Sequence, residues 1–265
     1  ERIFMIKIIF RNIFICILIL LAIQTNASNP DPKSIIEKCI ERHGGIDKFK
    51  NINDIYAKLL LKTYTKDGVF ENRLYEYFRK PDKLRIELDP VKGGGEAISI
   101  SWDGTYVYKL VKGKIKKSQK RKEVLQIKES LRFMKLMILT NLLKKSKIKY
   151  ERFLKKKKVH NISLTDNEGK KIWLWISGKN FALLGARFYI GEEKIPFIIM
   201  FIKYHKFGGI TLPRYTKIYK NKKLITEAWL SLAKINVLKN RNNFFSNLDI
   251  KPDIRKKRTF RPYRD

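Results

Sequence analysis

Lysine and arginine dominate the reactive side chains of this sequence. Fifty-nine of them face 25 aspartates and glutamates, a formal net charge of +34 over 265 residues. They are clustered. Lys112–Lys122 holds seven basic residues and no acid, Lys144–Lys158 holds nine against the single Glu151, and the tail 251–265 holds seven against two. Such tracts engage anionic surfaces: a membrane, where each nearby cation contributes roughly 1 kcal/mol, or nucleic acid. Lys114, Lys116, Lys117, Lys120 and Arg121 are the candidate membrane-surface contacts of the first tract, and Lys155, Lys156, Lys157 and Lys158 those of the second. The competing account is compositional. The chain is full of Lys, Ile and Asn, as an A/T-rich coding sequence gives, and many lysines then serve only as solvated surface.

Other chemistry is sparse. The three histidines, His43, His160 and His205, are far apart, and with two cysteines they make no clustered ligand set, so no metal site is expected. No Ser or Cys sits in a recognisable nucleophile elbow. Gly93-Gly94-Gly95-Glu96 lacks the Lys-Ser/Thr pair of a phosphate-binding loop and reads as a flexible connection. Asp67-Gly68 and Asp103-Gly104 are turn formers. No catalytic residue and no cofactor is expected, and the chain reads as a non-enzyme. Disorder is excluded by 44% hydrophobic content with 16 Phe and 12 Tyr, which suffices for a core despite the charge.

The elements that would carry these residues can be traced along the chain. From Met5, Lys7 and Arg11 precede an apolar run, Ile13–Ile23, that ends at Ala27 before Ser28; this is a secretory signal peptide pattern with cleavage after Ala27. The alternative is an uncleaved anchor, for which about eleven apolar residues are short against the roughly 20 a span needs. Export would leave Cys39 as the only thiol, a small buried hydrophobe on a helix. Residues 28–250 then form one domain and 251–265 a basic tail. Asp31-Pro32 starts a helix with Ile35, Ile36, Cys39 and Ile40 on one face, and His43-Gly44-Gly45 ends it. Alternating strands follow at Ile55–Thr63, Val69–Arg79, Leu84–Leu88, Ala97–Trp102 and Thr105–Val111. Glu123 to about Leu143, free of Gly and Pro, predicts one long helix or two shorter ones. Six further strands are expected between Lys158 and Val237. Helix, strands, helix, strands is a segregated order, which predicts an α+β fold on one antiparallel sheet.

Several local patterns, in order, resemble the superfamily of outer-membrane lipoprotein carriers and receptors (the LolA/LolB-like fold). They are the Gly44-Gly45 helix ending, Phe78-Arg79-Lys80-Pro81-Asp82-Lys83-Leu84-Arg85, Ser101-Trp102-Asp103-Gly104, Gly208-Gly209-Ile210-Thr211-Leu212-Pro213-Arg214-Tyr215, and Ile235-Asn236-Val237 followed by Phe244-Phe245. The set spans most of residues 33–247 and resembles exported members of this superfamily more than the carrier proper. The resemblance implies an unclosed, strongly curved antiparallel half-barrel with helices covering its concave face. It also implies a periplasmic protein holding lipid or lipoprotein acyl chains between sheet and helices. Arg85 matches the position where carriers place an arginine that hydrogen-bonds the lid; the bland alternative is a solvated arginine on an ordinary strand. Leu131, Met134, Met137 and Ile138 would face the ligand from the second helix, or else form plain helix–sheet core. Expected partners are acyl chains and an anionic membrane surface, with no nucleic acid, and a monomer is expected. A second reading keeps the fold without a ligand cavity, as an envelope-associated structural protein bound through its basic tracts.

Overall fold

In the computed structural model, residues 30–92, 96–111, 114–137, 143, 147–165, 169–190, 195–238 and 244–248 are described. The predicted signal peptide (1–27), the whole predicted tail (251–265), the glycine run 93–95 and Ile138 lie outside them.

Two short helices come first. In α1 (Pro32–His43), Asp31 accepts from the N–H groups of Lys33 and Ser34, both at 3.1 Å, and Pro32 occupies the first turn, where a missing N–H costs nothing. Its buried face is Ile35, Ile36, Cys39, Ile40 and His43, the i, i+4 stripe of an amphipathic helix. Gly44, at φ +136°, carries the chain out of the helix and is followed by α2 (Ile46–Lys50).

The strands are β1 (Asp54–Thr65), β2 (Gly68–Arg79), β3 (Lys83–Lys92), β4 (Ile98–Trp102), β5 (Val107–Val111) and β6 (Lys114–Ser118). After helix α3 (Arg121–Met137) come β7 (Lys147–Leu154), β8 (Val159–Thr165), β9 (Lys171–Ser177), β10 (Leu183–Phe188), β11 (Phe197–Phe207), β12 (Ile210–Lys220) and β13 (Lys223–Ile235). They form one 13-stranded sheet in the order β6-β5-β4-β3-β2-β1-β13-β12-β11-β10-β9-β8-β7. Each neighbouring pair is antiparallel, and the sheet is an unclosed, curved half-barrel with helices on its concave face. The segregated α+β order therefore holds.

The edge strands β6 and β7 are consecutive along the chain, so α3 crosses from one free edge of the half-barrel to the other. Both lie inside the two basic tracts, where no strand was expected. Lys114, Lys116, Lys117 and Lys120 are exposed, as are Lys155, Lys156, Lys157 and Lys158 of the 3₁₀ turn that follows β7. Lysine on an edge strand discourages pairing with another chain, which gives part of the charge clustering a structural reason.

The two faces of the sheet are different. The inner face, toward α1 and α3, carries the main core: Ile55, Phe78, Leu84, Trp102 and Val107 stand opposite one another across β1–β5, with Ile162, Leu174, Ile199 and Leu212 on the other half. Cys39 is fully buried in this core, and burial pushes its thiol up to about 12, as a small hydrophobe would be placed. The outer face of β1–β4 has a second, smaller cluster of Tyr56, Tyr75 and Tyr77 under Leu238, Phe244 and Phe245.

Candidate functional site

The inner face is largely apolar, and among the described residues two helices, α1 and α3, pack on it along their length. Helix α1 packs toward β12 and β7, and α3 packs toward β3 and β5. On α3, Ile127 and Leu131 are buried against the sheet while Leu125 is exposed. Leu59, Ile86, Ile100 and Ile218 pack against the main core and are half-buried. Of the residues expected to face a ligand, Leu131 is in the main core; Met134 and Met137 fall within α3, but their side chains lie outside the described set, as does all of Ile138.

Helix α3 is fastened at two places. Near its start Glu123 pairs with Lys109 of β5 at 2.8 Å, and that hydrogen bond holds the Glu123 carboxyl below the usual range. Halfway along, Glu129 pairs with Lys170, which precedes β9. The two pairs hold the helix to opposite halves of the sheet. Both lysines keep about a third of their surface, so each pair contributes modestly and is weakened by salt.

Helix α1 is fixed differently. His43 Nδ1 lies 3.0 Å from the Thr211 carbonyl oxygen, and the Leu183 N–H donates to Nε2 at 3.2 Å. That pattern selects the neutral ring with its proton on Nδ1, and burial keeps the imidazole below its ordinary pKa. The Tyr204 hydroxyl donates to the Leu183 carbonyl, and its ring lies 4.9 Å from the His43 ring. These residues surround a cavity of about 10 Å³, room for about one water molecule. The sequence showed His43 only as part of a helix ending, because its partners are 140 and 168 residues away.

Glu76 was missed altogether. Its partners across the sheet are Ala57 on β1 and Ile86 on β3, so it stands on the inner face among Leu59, Ile86 and Ile100. It is half-buried, has no hydrogen bond or ion pair among the described residues, and burial pushes its carboxyl up to about 7. The signal was present in the strand: Leu74, Glu76 and Phe78 share one parity, which puts an acid on the apolar face.

Arg85 lies on the other face. It is 1% exposed, opposite Tyr77 and Ser101, and its guanidinium donates to the carbonyls of Phe244 (3.0 Å), Asn247 (3.1 Å) and Leu248 (2.9 Å). Glu87 pairs with it at 2.6 Å, and the Phe244 ring sits 4.6 Å away. Ser101 and Arg79 donate to the carbonyls of Phe245 and Leu238. The structure thus has Arg85 holding a segment closed by hydrogen bonds, but that segment is 244–248 on the outer face, remote from the helices over the apolar face. The chain reaches this face through Asn236 and Asp54: Asp54 Oδ1 accepts from the N–H groups of Val237 and Leu238, at 2.7 and 3.0 Å.

The basic candidates Lys114, Lys116, Lys117, Lys120 and Arg121 lie at one edge and Lys155, Lys156, Lys157 and Lys158 at the other, all exposed. Lys117 lies over the Tyr106 ring at 3.5 Å.

No family model and no curated protein matches the chain. Solved structures do. A LolA superfamily protein from Nitrosomonas europaea superposes with a TM-score of 0.57 at 12% identity, over 84% of this chain and 100% of that one. A protein of the DUF1329 family from Desulfovibrio piger gives 0.52 at 14% identity, over 81% and 97%. A domain provisionally ascribed to outer membrane lipoprotein sorting, from Vibrio parahaemolyticus, gives 0.50 at 12%, over 81% and 96%. At these identities the shared property is the fold alone.

Proposed function

We propose that this chain is an exported, periplasmic carrier that holds lipid or lipoprotein acyl chains between its curved sheet and the helices over it, without catalysing a reaction. One observation carries the reading: the inner face is largely apolar, separate helices lie over it, and Leu59, Ile86, Ile100 and Ile218 on it are only half-buried. A sheet face of this kind needs an apolar cover, and a bound acyl chain can supply it at about 0.8 kcal/mol for each CH₂ removed from water. Helix α3 is suited to move, because two salt-sensitive ion pairs join it to opposite halves of the sheet. The shared fold with a LolA superfamily protein supports the same reading. The predicted signal peptide supports export, and residues 28–250 would form the carrier domain. The test is lipid extraction from protein purified from its native envelope, followed by displacement of N-phenyl-1-naphthylamine by dodecanol. Extracted lipid and saturable displacement are expected; a lipid-free protein that binds neither compound overturns the reading.

The exposed lysines at both sheet edges favour a second reading, adhesion to an anionic membrane surface. Sedimentation with vesicles of phosphatidylglycerol, lost at high salt and on reversing Lys155, Lys156, Lys157 and Lys158 to Glu, is its expected signature.

A further inference from the structure

The acids that face inward are treated unequally. Glu123 and Glu129 of α3 each meet a lysine from the sheet side, Lys109 and Lys170. Glu76 meets none among the described residues, in a chain with 59 Lys plus Arg against 25 acids, where cations are abundant. Its neighbours across β1 and β3 are Ala57 and Ile86, and the charged residues of those strands nearest to it, Lys58, Arg85 and Glu87, have the opposite parity and face outward. Arg214, the inward cation of β12, is three strands away. A carboxylate held among apolar neighbours without a partner is costly, and an aliphatic residue would serve the packing between Ala57 and Ile86 better. Glu76 is also half-buried rather than sealed, so a molecule lying on the inner face can reach it.

We propose that Glu76 determines ligand specificity, accepting a hydrogen bond from the ammonium group of an otherwise hydrophobic molecule, an alkylamine or an amine-bearing lipid. This rests on the carrier reading above, since it names the chemistry of the molecule that the inner face holds. The apolar part of such a ligand covers Leu59, Ile86 and Ile100 while its ammonium group neutralises a carboxylate that has no ion pair among the described residues. Charge-assisted hydrogen bonds of this type are the strong ones, and a site built around one discriminates against an analogue whose donor is uncharged by about tenfold. The pKa of Glu76, raised to about 7 in the free protein, falls when an ammonium group sits against it.

The experiment uses the full chain, wild type, E76Q and E76L, at pH 8. Dodecylamine and dodecanol each compete with neutral N-phenyl-1-naphthylamine, and the E76 variants share the same overall field, so the basic surface cancels from the comparison. Wild type is expected to bind dodecylamine at least about tenfold more tightly than dodecanol. In E76Q and E76L that ratio falls toward one. Carbon NMR of the labelled Glu76 carboxyl should show its pKa drop on adding dodecylamine. Dodecanol binding with an amine-to-alcohol ratio unchanged by E76Q and E76L overturns this inference and leaves the carrier reading standing. Failure of the wild type to bind either compound overturns both.

Discussion

Replacing Arg85 by Met should release the segment 244–248 from the sheet. The segment buries three large side chains, Phe244, Phe245 and Leu248, each below 5% exposure. Burial of three such residues stabilises the docked form by about 5–9 kcal/mol. Ordering five residues of backbone opposes it by about 5–10 kcal/mol. The two nearly cancel, so docking is decided by the polar contacts: three carbonyls bound by the guanidinium, and the Glu87 carboxylate paired with it. R85M takes the guanidinium donors from those carbonyls and the paired cation from the buried Glu87, a change that costs about 3–5 kcal/mol for the pair. Undocking avoids that cost by returning carbonyls and carboxylate to water. The expected outcome is chymotryptic cleavage after Phe244 or Phe245 at least tenfold faster than in wild type, with the urea midpoint lowered by the loss of the Tyr56, Tyr75 and Tyr77 cover. Cleavage as slow as in wild type, with stability of R85M within about 1 kcal/mol of it, would refute the reasoning.

Further outcomes follow from the inner face. A carboxyl whose folded pKa is raised lends stability that is complete below its unfolded value near 4.3 and is lost as pH rises toward 7, so E76Q should gain up to about 3 kcal/mol over wild type between pH 4 and 8, measured by urea unfolding. The His43 imidazole is depressed instead: its stabilising effect is present above the unfolded value near 6.5 and is lost as pH falls below it, so the advantage of wild type over H43Q should shrink from pH 8 to pH 5 in the same assay. G44A should cost at least about 2 kcal/mol, because φ is +136° and a Cβ would stand 2.9 Å from the Gly209 carbonyl oxygen; thermal unfolding measures it. Glu123→Gln with Glu129→Gln should speed uptake of N-phenyl-1-naphthylamine in stopped flow, an increase that high salt produces in wild type as well.

Most strands were legible because their alternation is the direct imprint of a two-sided sheet. Tyr56 and Tyr77 point to one side and Ile55 and Phe78 to the other, and the sequence records that at a period of two. The edge strands β6 and β7 left no such imprint. An edge strand has one neighbour and much solvent, so lysines fill positions that would be apolar further in, and the tracts read as charge rather than as structure. Arg85 was legible as a residue with a task, through its place in the Phe78–Arg85 pattern. The side of the sheet it serves was not, since parity within one strand does not say which face the helices cover.

By itself the sequence determined the helix boundaries at Asp31 and Gly44, the alternating strands, and the segregated order that makes an antiparallel sheet, because these depend on caps, turns and periodicity within a few residues. Tertiary structure alone decided where α3 lies, that β6 and β7 end up at opposite edges of the sheet, that segment 244–248 covers the outer face under Arg85, and that Glu76 stands among apolar neighbours on the other. Those facts depend on contacts between residues tens to hundreds of positions apart, where the energy of a charge is set by what the fold brings beside it.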